Sequence, residues 1–258
     1  MRITLDIDLD ALGAEPASEA GRILRYWAGA LGQLDLRQPA SFPLMDSGYQ
    51  QVGSLEIEST DAHETPGDVK NHLHNYLSRQ HEVLMWKLDG VSERDARWPM
   101  TPTGTNLLGL LKHVATVEAE YFGLVFDRPF PEVLPWAAED AEDNADMYAG
   151  PEESVASVRA FAERVWAHAD ATIDALPLDA PGHVPWWGDR GDVTLAQILV
   201  HVTAEVARHA GHADIVRELI DGAAGLRDGG SNLPEHDARW WAEYVERLQQ
   251  VATDAGAQ

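Results

Sequence analysis

The sequence of 258 residues contains no cysteine. A protein without thiols has no disulfide framework, thiolate zinc finger, iron–sulfur cluster or cysteine nucleophile. If this chain binds a metal ion, its ligands must therefore be histidine and carboxylate side chains. If its chemistry needs a reactive sulfur atom, that sulfur must arrive on a second molecule.

Basic residues are also scarce: 19 lysine and arginine side chains stand against 43 aspartate and glutamate side chains, a formal net charge of −24. So negative a field repels phosphate backbones and excludes general nucleic-acid binding. Apolar runs are only a few residues long, far short of a membrane span. Residues 1–6 lack the basic segment followed by an apolar stretch with which a secretory signal begins. We therefore expect a cytoplasmic protein without nucleic-acid or membrane partners.

Residues 1–58 are predicted to form a small β-α-β module. Period-two alternation of apolar and polar residues at 2–10 and 48–57 predicts two strands. Apolar residues at helical spacing predict a helix between them, which Ser18 caps and which ends at residue 34. The module is too small for a comfortable core of its own. Its exposed strand edges would allow pairing across a homodimer.

A polar stretch at residues 59–67, which ends in Pro-Gly, is predicted to be a linker. Beyond it, in residues 68–258, the apolar period changes to 3.6 and predicts helices. These cover residues 68–88, 106–125 (capped by Thr105), 151–176 (opened by Pro151), a fourth from an Asp192 or Thr194 cap to residue 220, and 234–253. An acidic run at residues 139–146 is predicted to be a solvated surface segment. The pattern predicts a mainly α fold, a four-helix bundle with an extra C-terminal helix.

The fourth predicted helix carries His201, Glu205, His209 and His212 along one side. Residues four and seven apart share a face of an α-helix. Carboxylate and imidazole groups are ordinary ligands for zinc or another first-row divalent ion. The second helix supplies one histidine, His113, as a candidate ligand from a facing helix. A histidine and a glutamate that simply bond each other are the alternative that the pattern leaves open.

Four stretches of the sequence resemble a known superfamily. They are Trp-Lys-Leu-Asp-Gly at residues 86–90, Thr-Asn-Leu-Leu-Gly-Leu-Leu-Lys-His at 105–113, Val-Pro-Trp-Trp at 184–187 and Glu-Val-Ala-Arg-His-Ala-Gly-His-Ala-Asp-Ile at 205–215. With these motifs, residues 68–255 resemble the DinB-like superfamily of metal-binding four-helix bundles. The resemblance is strongest to its actinobacterial branch, which includes mycothiol-dependent transferases and maleylpyruvate isomerase. The first 60 residues lie outside the resemblance.

The resemblance implies a ligand set and a reaction. In this superfamily the second helix gives one metal ligand and the fourth gives two, which correspond to His113, Glu205 and His209. His212 is implied as a hydrogen-bonding partner first and a ligand second, and His201 is a doubtful candidate. The implied cofactor is a divalent metal ion, zinc first, with nickel, manganese or iron as alternatives. The implied activity is transfer of a low-molecular-weight thiol of the mycothiol type onto an electrophilic small molecule.

A few further side chains are candidates for binding substrate. Arg208 and Arg217 are cations near the cluster, and either one could hold a substrate carboxylate, with a surface ion pair as the alternative. Tyr121 on the second helix either reaches the pocket or belongs to the core. Trp186 and Trp187 lie in a loop and either line the pocket mouth or cover the end of the bundle. Of these, Arg208 and Tyr121 are our binding candidates.

Two other functions remain open at this stage. The bundle could bind metal without turnover, as a stress-response interaction module. It could also be a metal-dependent hydrolase that activates a water molecule. The thiol transferase is the function that the resemblance favours, and three protein ligands would leave open positions on the metal for its substrates.

Overall fold

The computed structural model describes residues 2–13, 15–34, 40–58 and 66–256. The chain divides into two compact units, Met1–Gly67 and Asp68–Gln258. Of the predicted linker, residues 59–65 lie outside the described residues, and Pro66 already begins a helix. In the described part of the chain, no helix combines the length and the apolar character that crossing a membrane requires.

The first unit is a three-stranded antiparallel sheet with one helix. Its elements are β1 (Arg2–Ile7), α1 (Pro16–Ala30), β2 (Ala40–Met45) and β3 (Gln51–Glu58). The strands are arranged in the order β1-β3-β2. Ile23 of α1 shares one buried apolar cluster with Leu44 and Leu55 of the sheet. The helix therefore covers the apolar face of the sheet.

Two features of this unit differ from the prediction. The sequence predicts only two strands, and it misses β2 because Pro43 interrupts the alternation of that segment. Proline is tolerated there because β2 is an edge strand. The helix begins at Pro16 rather than after Ser18, because the fixed φ of proline suits the first turn of a helix.

The second unit is the helical bundle that the sequence predicts. Its elements are α2 (Pro66–Trp86), α3 (Glu93–Arg97), α4 (Leu107–Tyr121), α5 (Val155–Ala175), β4 (Pro181–His183), β5 (Asp192–Thr194), α6 (Leu195–Asp221) and α7 (Ala238–Gly256). β4 and β5 form an antiparallel hairpin, which the sequence does not reveal because three-residue strands show no alternation. The predicted mainly α fold with an N-terminal β module is confirmed.

Side-chain caps determine where the bundle helices begin. Asn106, and not the predicted Thr105, caps α4 by accepting a backbone hydrogen bond. Ser154 caps α5, whereas the predicted opening residue Pro151 lies in a turn before the helix. Thr194 caps α6, as one of the two predicted candidates. Each of these side chains satisfies a backbone N–H group that the first turn would otherwise leave without a partner.

α4 is the central helix of the bundle. It packs against both α5 and α6, and most of its residues are buried. A helix enclosed in this way must give every polar side chain a partner, because burying a polar group alone is costly. The polar side chains Lys112, His113 and Glu118 of α4 are therefore expected to form specific polar contacts in addition to packing.

Glu118 ties three helices together in the core. Its Oε1 lies 2.8 Å from Nε2 of His81 on α2 and accepts a hydrogen bond from Nε1 of Trp166 on α5 at 3.1 Å. The rings of His81 and Trp166 are stacked with centroids 4.1 Å apart. This polar cluster lies outside the predicted metal cluster, and it satisfies one oxygen of the fully buried carboxylate, whereas Oε2 of Glu118 meets no hydrogen-bond partner among the described residues.

Candidate metal centre

α4 and α6 bring three of the predicted ligands together. His113 lies on α4, and Glu205 and His209 lie one turn apart on α6. One ligand atom of each residue lies within 4.8 Å of the ligand atoms of the other two. The rings of His113 and His209 meet edge to face with centroids 4.7 Å apart. Small side-chain rotations would let so compact a group converge on one ion.

His209 is nearly buried, and one of its ring nitrogens has no partner. Its Nε2 lies 3.0 Å from Oε1 of Glu205, whereas its Nδ1 meets no hydrogen-bond partner among the described residues. Burial lowers the pKa of His209 and the nearby His113 lowers it further, while the Glu205 carboxylate opposes both. The neutral imidazole is therefore favoured, and this is the form that binds a metal ion.

His113 is oriented by a carboxylate from the connection between α4 and α5. Its Nδ1 lies 2.6 Å from Oδ2 of Asp146. If Nδ1 donates its proton to Asp146, the lone pair of Nε2 is left free to bind an ion. The sequence predicts Asp146 to be part of a solvated surface segment, and for this residue the prediction is wrong.

Lys112, next to His113 on α4, holds the segment that carries Asp146. Its Nζ donates to the backbone oxygens of Ala145 at 3.3 Å and Tyr148 at 3.0 Å. It also forms an ion pair of 2.9 Å with Oε2 of Glu153. Because the lysine side chain is almost fully buried, these bonds replace its hydration. Lys112 thus fixes the segment on both sides of Asp146.

Gly109 allows the same segment to lie directly on α4. A Cβ atom at this position would lie 1.8 Å from the backbone oxygen of Met147, so only glycine permits this approach. The same oxygen accepts a hydrogen bond of 3.2 Å from Nδ2 of Asn106. The residues around Asp146 are therefore held by contacts along the first two turns of α4.

Glu120 is a second carboxyl group near the centre that the sequence prediction overlooked. It lies seven residues after His113, on the same face of α4, and is partly buried. Burial raises the pKa of Glu120 and the charge of Asp146 raises it further, while His113 opposes them. Its spacing of seven residues from His113 was the sequence feature from which Glu120 could have been predicted to lie near that histidine.

The structure places the other two histidines of α6 beside the group of three. The ring of His212 is exposed, and its centroid lies 5.4 Å from that of His209. The Nε2 atom of His201 lies 3.2 Å from the hydroxyl of Tyr121. His212 and His201 thus stay outside the compact group, and their predicted roles remain predictions.

Of the two binding candidates, neither Tyr121 nor Arg208 contacts the group of three among the described residues, but Tyr121 meets the neighbouring His201. The Tyr121 hydroxyl accepts a hydrogen bond of 3.3 Å from Nε1 of Trp186, and the Tyr121 ring also meets that of Trp187. Arg208 is exposed. Arg217 donates to the backbone oxygen of Lys87 at 2.9 Å, so it joins α6 to the end of α2.

The donor set suits a catalytic rather than a structural metal site. Two imidazoles and one carboxylate are typical ligands of zinc and other first-row divalent ions. Three protein ligands leave one or more coordination positions open to water or substrate. Asp146 supplies the carboxylate that commonly orients a metal-binding histidine. His113, Glu205 and His209 are therefore the residues that could hold the ion.

Replacing Asp146 by alanine should lower the affinity for zinc by about 10–100-fold, because His113 loses the group that fixes its tautomer and orientation. Competition with a fluorescent zinc chelator measures this affinity. Asp143→Ala is the matched control, since it removes the same charge from an exposed position of the same connection. Equal zinc affinity in the two variants would show that Asp146 does not act on the centre.

The region that contains the site matches a known family. The family model described as mycothiol-S-transferase matches residues 72–222, more than half of the chain. None of the curated proteins is significantly similar to this chain. The matched residues include α3 to α6 and thus all three members of the candidate metal-binding group. The chain belongs to the mycothiol-S-transferase family.

Proposed function

We propose that this chain is a divalent-metal-dependent transferase that joins a low-molecular-weight thiol, mycothiol first, to an electrophilic small molecule. The observation that carries the proposal is the convergence of His113, Glu205 and His209 in a member of the mycothiol-S-transferase family. The lack of cysteine supports it, because the nucleophilic sulfur must come from a cosubstrate. The thiol gives its proton to solvent, its sulfur forms a bond to the electrophilic carbon, and the bond from that carbon to the leaving group breaks with both electrons going to the leaving group.

The ligand set supports zinc as the first choice of metal, with nickel, manganese or iron as alternatives. A bound divalent ion supplies positive charge that lowers the pKa of a thiol. Glu205 contributes a negative charge where a third histidine would be neutral. The centre is then less positive, and the protein would favour release of a thiolate more than an all-histidine site would.

The remaining side chains orient and shield the centre. Asp146 holds the His113 ring in one orientation, and Lys112 holds Asp146 in place through the neighbouring backbone. Trp186 and Trp187 cover Tyr121, which lies on the same helix as His113, and such packing keeps water from the part of α4 that it covers. The expected homodimer and the cytoplasmic location remain predictions.

Metal-loaded protein should accelerate the reaction of mycothiol with monochlorobimane by about tenfold or more over metal-free protein. Chloride is the leaving group, and the fluorescent conjugate reports the rate. Glutathione and cysteine, offered at the same concentration, should react more slowly because recognition of the rest of the thiol is lost.

Two outcomes would contradict the proposal. If none of the three thiols is consumed by metal-loaded protein, the chain is better described as a metal-binding bundle without turnover. If a panel of fluorogenic esters and amides is cleaved without any thiol, the centre acts as a hydrolase.

A further inference from the structure

A cavity of about 330 Å³ lies in the same unit of the chain as the candidate metal centre. It is lined by Trp187 and Arg190 from the connection between β4 and β5, and by Gln197 and His201 from α6. Gln197 and His201 are four residues apart and share one face of the helix. A rigid helix and a short loop therefore form the two walls.

The cavity and two of the candidate metal ligands lie along α6. His201 precedes Glu205 by one turn of α6, a rise of about 6 Å. Tyr121, which follows His113 by two turns of α4, lies 3.2 Å from His201 through its hydroxyl group. Along both helices, the His201 side of the cavity is thus the side nearest in sequence to the candidate metal ligands.

Arg190 gives the cavity a cation with no partner of its own. Its side chain makes no ion pair, hydrogen bond or ring contact with any other residue that the structure describes. By contrast, Arg159, Arg164 and Arg217 all pair with carboxylates. In a chain with 43 acidic side chains, a guanidinium left unpaired beside a cavity is available to a ligand. Its planar fork matches a carboxylate in two parallel hydrogen bonds.

Aromatic rings form the rest of the cavity wall. The Trp187 and His201 rings meet at 81° with centroids 4.8 Å apart, and Trp187 also contacts the Tyr121 ring. Such walls accommodate a planar or apolar body, while Gln197 offers a second hydrogen-bond donor. We propose that this cavity binds a carboxylic acid with a planar or apolar body, and that Arg190 holds the carboxylate. The proposal rests on the proposed function in one respect: the acid is the electrophilic substrate of the transferase.

Calorimetry with two unreactive probes tests the binding directly. The probes are 3-phenylpropanoate and its neutral amide, offered to the metal-loaded protein. The acid should bind more tightly than the amide, and Arg190→Gln should weaken binding of the acid by up to about fivefold, since Arg190 is exposed to water, while leaving the amide unaffected. Arg190→Lys, which keeps the charge without the fork, should fall between. Arg239→Gln is the matched control, because it removes the same charge from α7.

Four outcomes would overturn the proposal. The acid and the amide could bind equally, or the acid could bind Arg190→Gln as well as it binds the unmodified protein. Loss of acid binding in Arg208→Gln, but not in Arg190→Gln, would assign the carboxylate to Arg208 instead. Acid binding that disappears without metal but survives Arg190→Gln would assign it to the metal centre. Because the probes do not react, these results stand even if no thiol is transferred.

If the transferase activity is also found, kinetics add a second readout. For an electrophile that carries a carboxylate, Arg190→Gln should raise KM by up to about fivefold and leave kcat unchanged. The KM of monochlorobimane, which has no carboxylate, should not change. A fall in kcat with unchanged KM for the acid would contradict a binding role for Arg190.

Discussion

Alanine in place of His209 is expected to weaken zinc binding by about 10²–10³-fold. Zinc sites with four protein ligands bind with roughly 10–16 kcal/mol, so the share of one ligand is about 3–4 kcal/mol. His113→Ala should have an effect of the same size, because the two rings approach the same point. Metal content after dialysis, together with competition against a chromophoric chelator, measures both.

His183→Ala is the control for these two variants. His183 is exposed and also lies near a carboxylate, with Nδ1 2.9 Å from Oδ1 of Asp192, so its removal deletes a comparable pair far along the chain from the centre. Glu205→Gln removes one charge and keeps the shape of the side chain. If His113→Ala and His209→Ala both retain their zinc, the ion is not held by this group. If both variants lose their zinc, His212→Ala decides whether a fourth residue contributes.

The spacing of Glu205 and His209 could be predicted because it depends on a single helix. Any α-helix places residues four apart on one face, and the apolar stripe of the segment showed that this face is not fully exposed. His113 could be predicted as their partner because it is the one histidine of the second predicted helix. The resemblance singled out the second helix, since the first and third predicted helices also carry histidines.

The role of Asp146 could not be predicted, because the path of a long connection depends on tertiary contacts. Lys112 directs that path by binding the backbone oxygens of Ala145 and Tyr148. Because every residue carries a backbone oxygen, these hydrogen bonds require no particular residue type and cannot be recognised in the sequence of the connection. The availability of Arg190 was hidden for the same reason, since an unpaired cation is recognised only when its neighbours are known.

Asp214→Ala is expected to destabilise the bundle by about 3 kcal/mol, because it leaves a buried ammonium group without its counter-charge. Lys87 is almost fully buried, and its Nζ lies 2.7 Å from Oδ1 of Asp214 on α6. It also donates to the backbone oxygen of Gly225 at 2.5 Å and lies 4.2 Å from the centre of the Trp86 ring. These neutral partners do not replace the carboxylate, and Asp221, whose pKa is lowered chiefly by Arg217 and also by Lys87, is already paired with Arg217. Urea unfolding of the metal-free full chain, followed by circular dichroism, measures the loss.

Substitution of Lys87, the partner of Asp214, tests why Asp214→Ala loses stability. Lys87→Met removes the buried charge and keeps an unbranched side chain, and Asp214 retains partial exposure to water. We therefore expect a loss of only about 1 kcal/mol, since replacing a buried charge by an apolar group of similar volume is often tolerated. The double variant Lys87→Met/Asp214→Ala should be more stable than Asp214→Ala alone, while Asp228→Ala, at an exposed position, should change little. Additive losses in the double variant would contradict this, because they would mean that the uncompensated charge of Lys87 is not what destabilises Asp214→Ala.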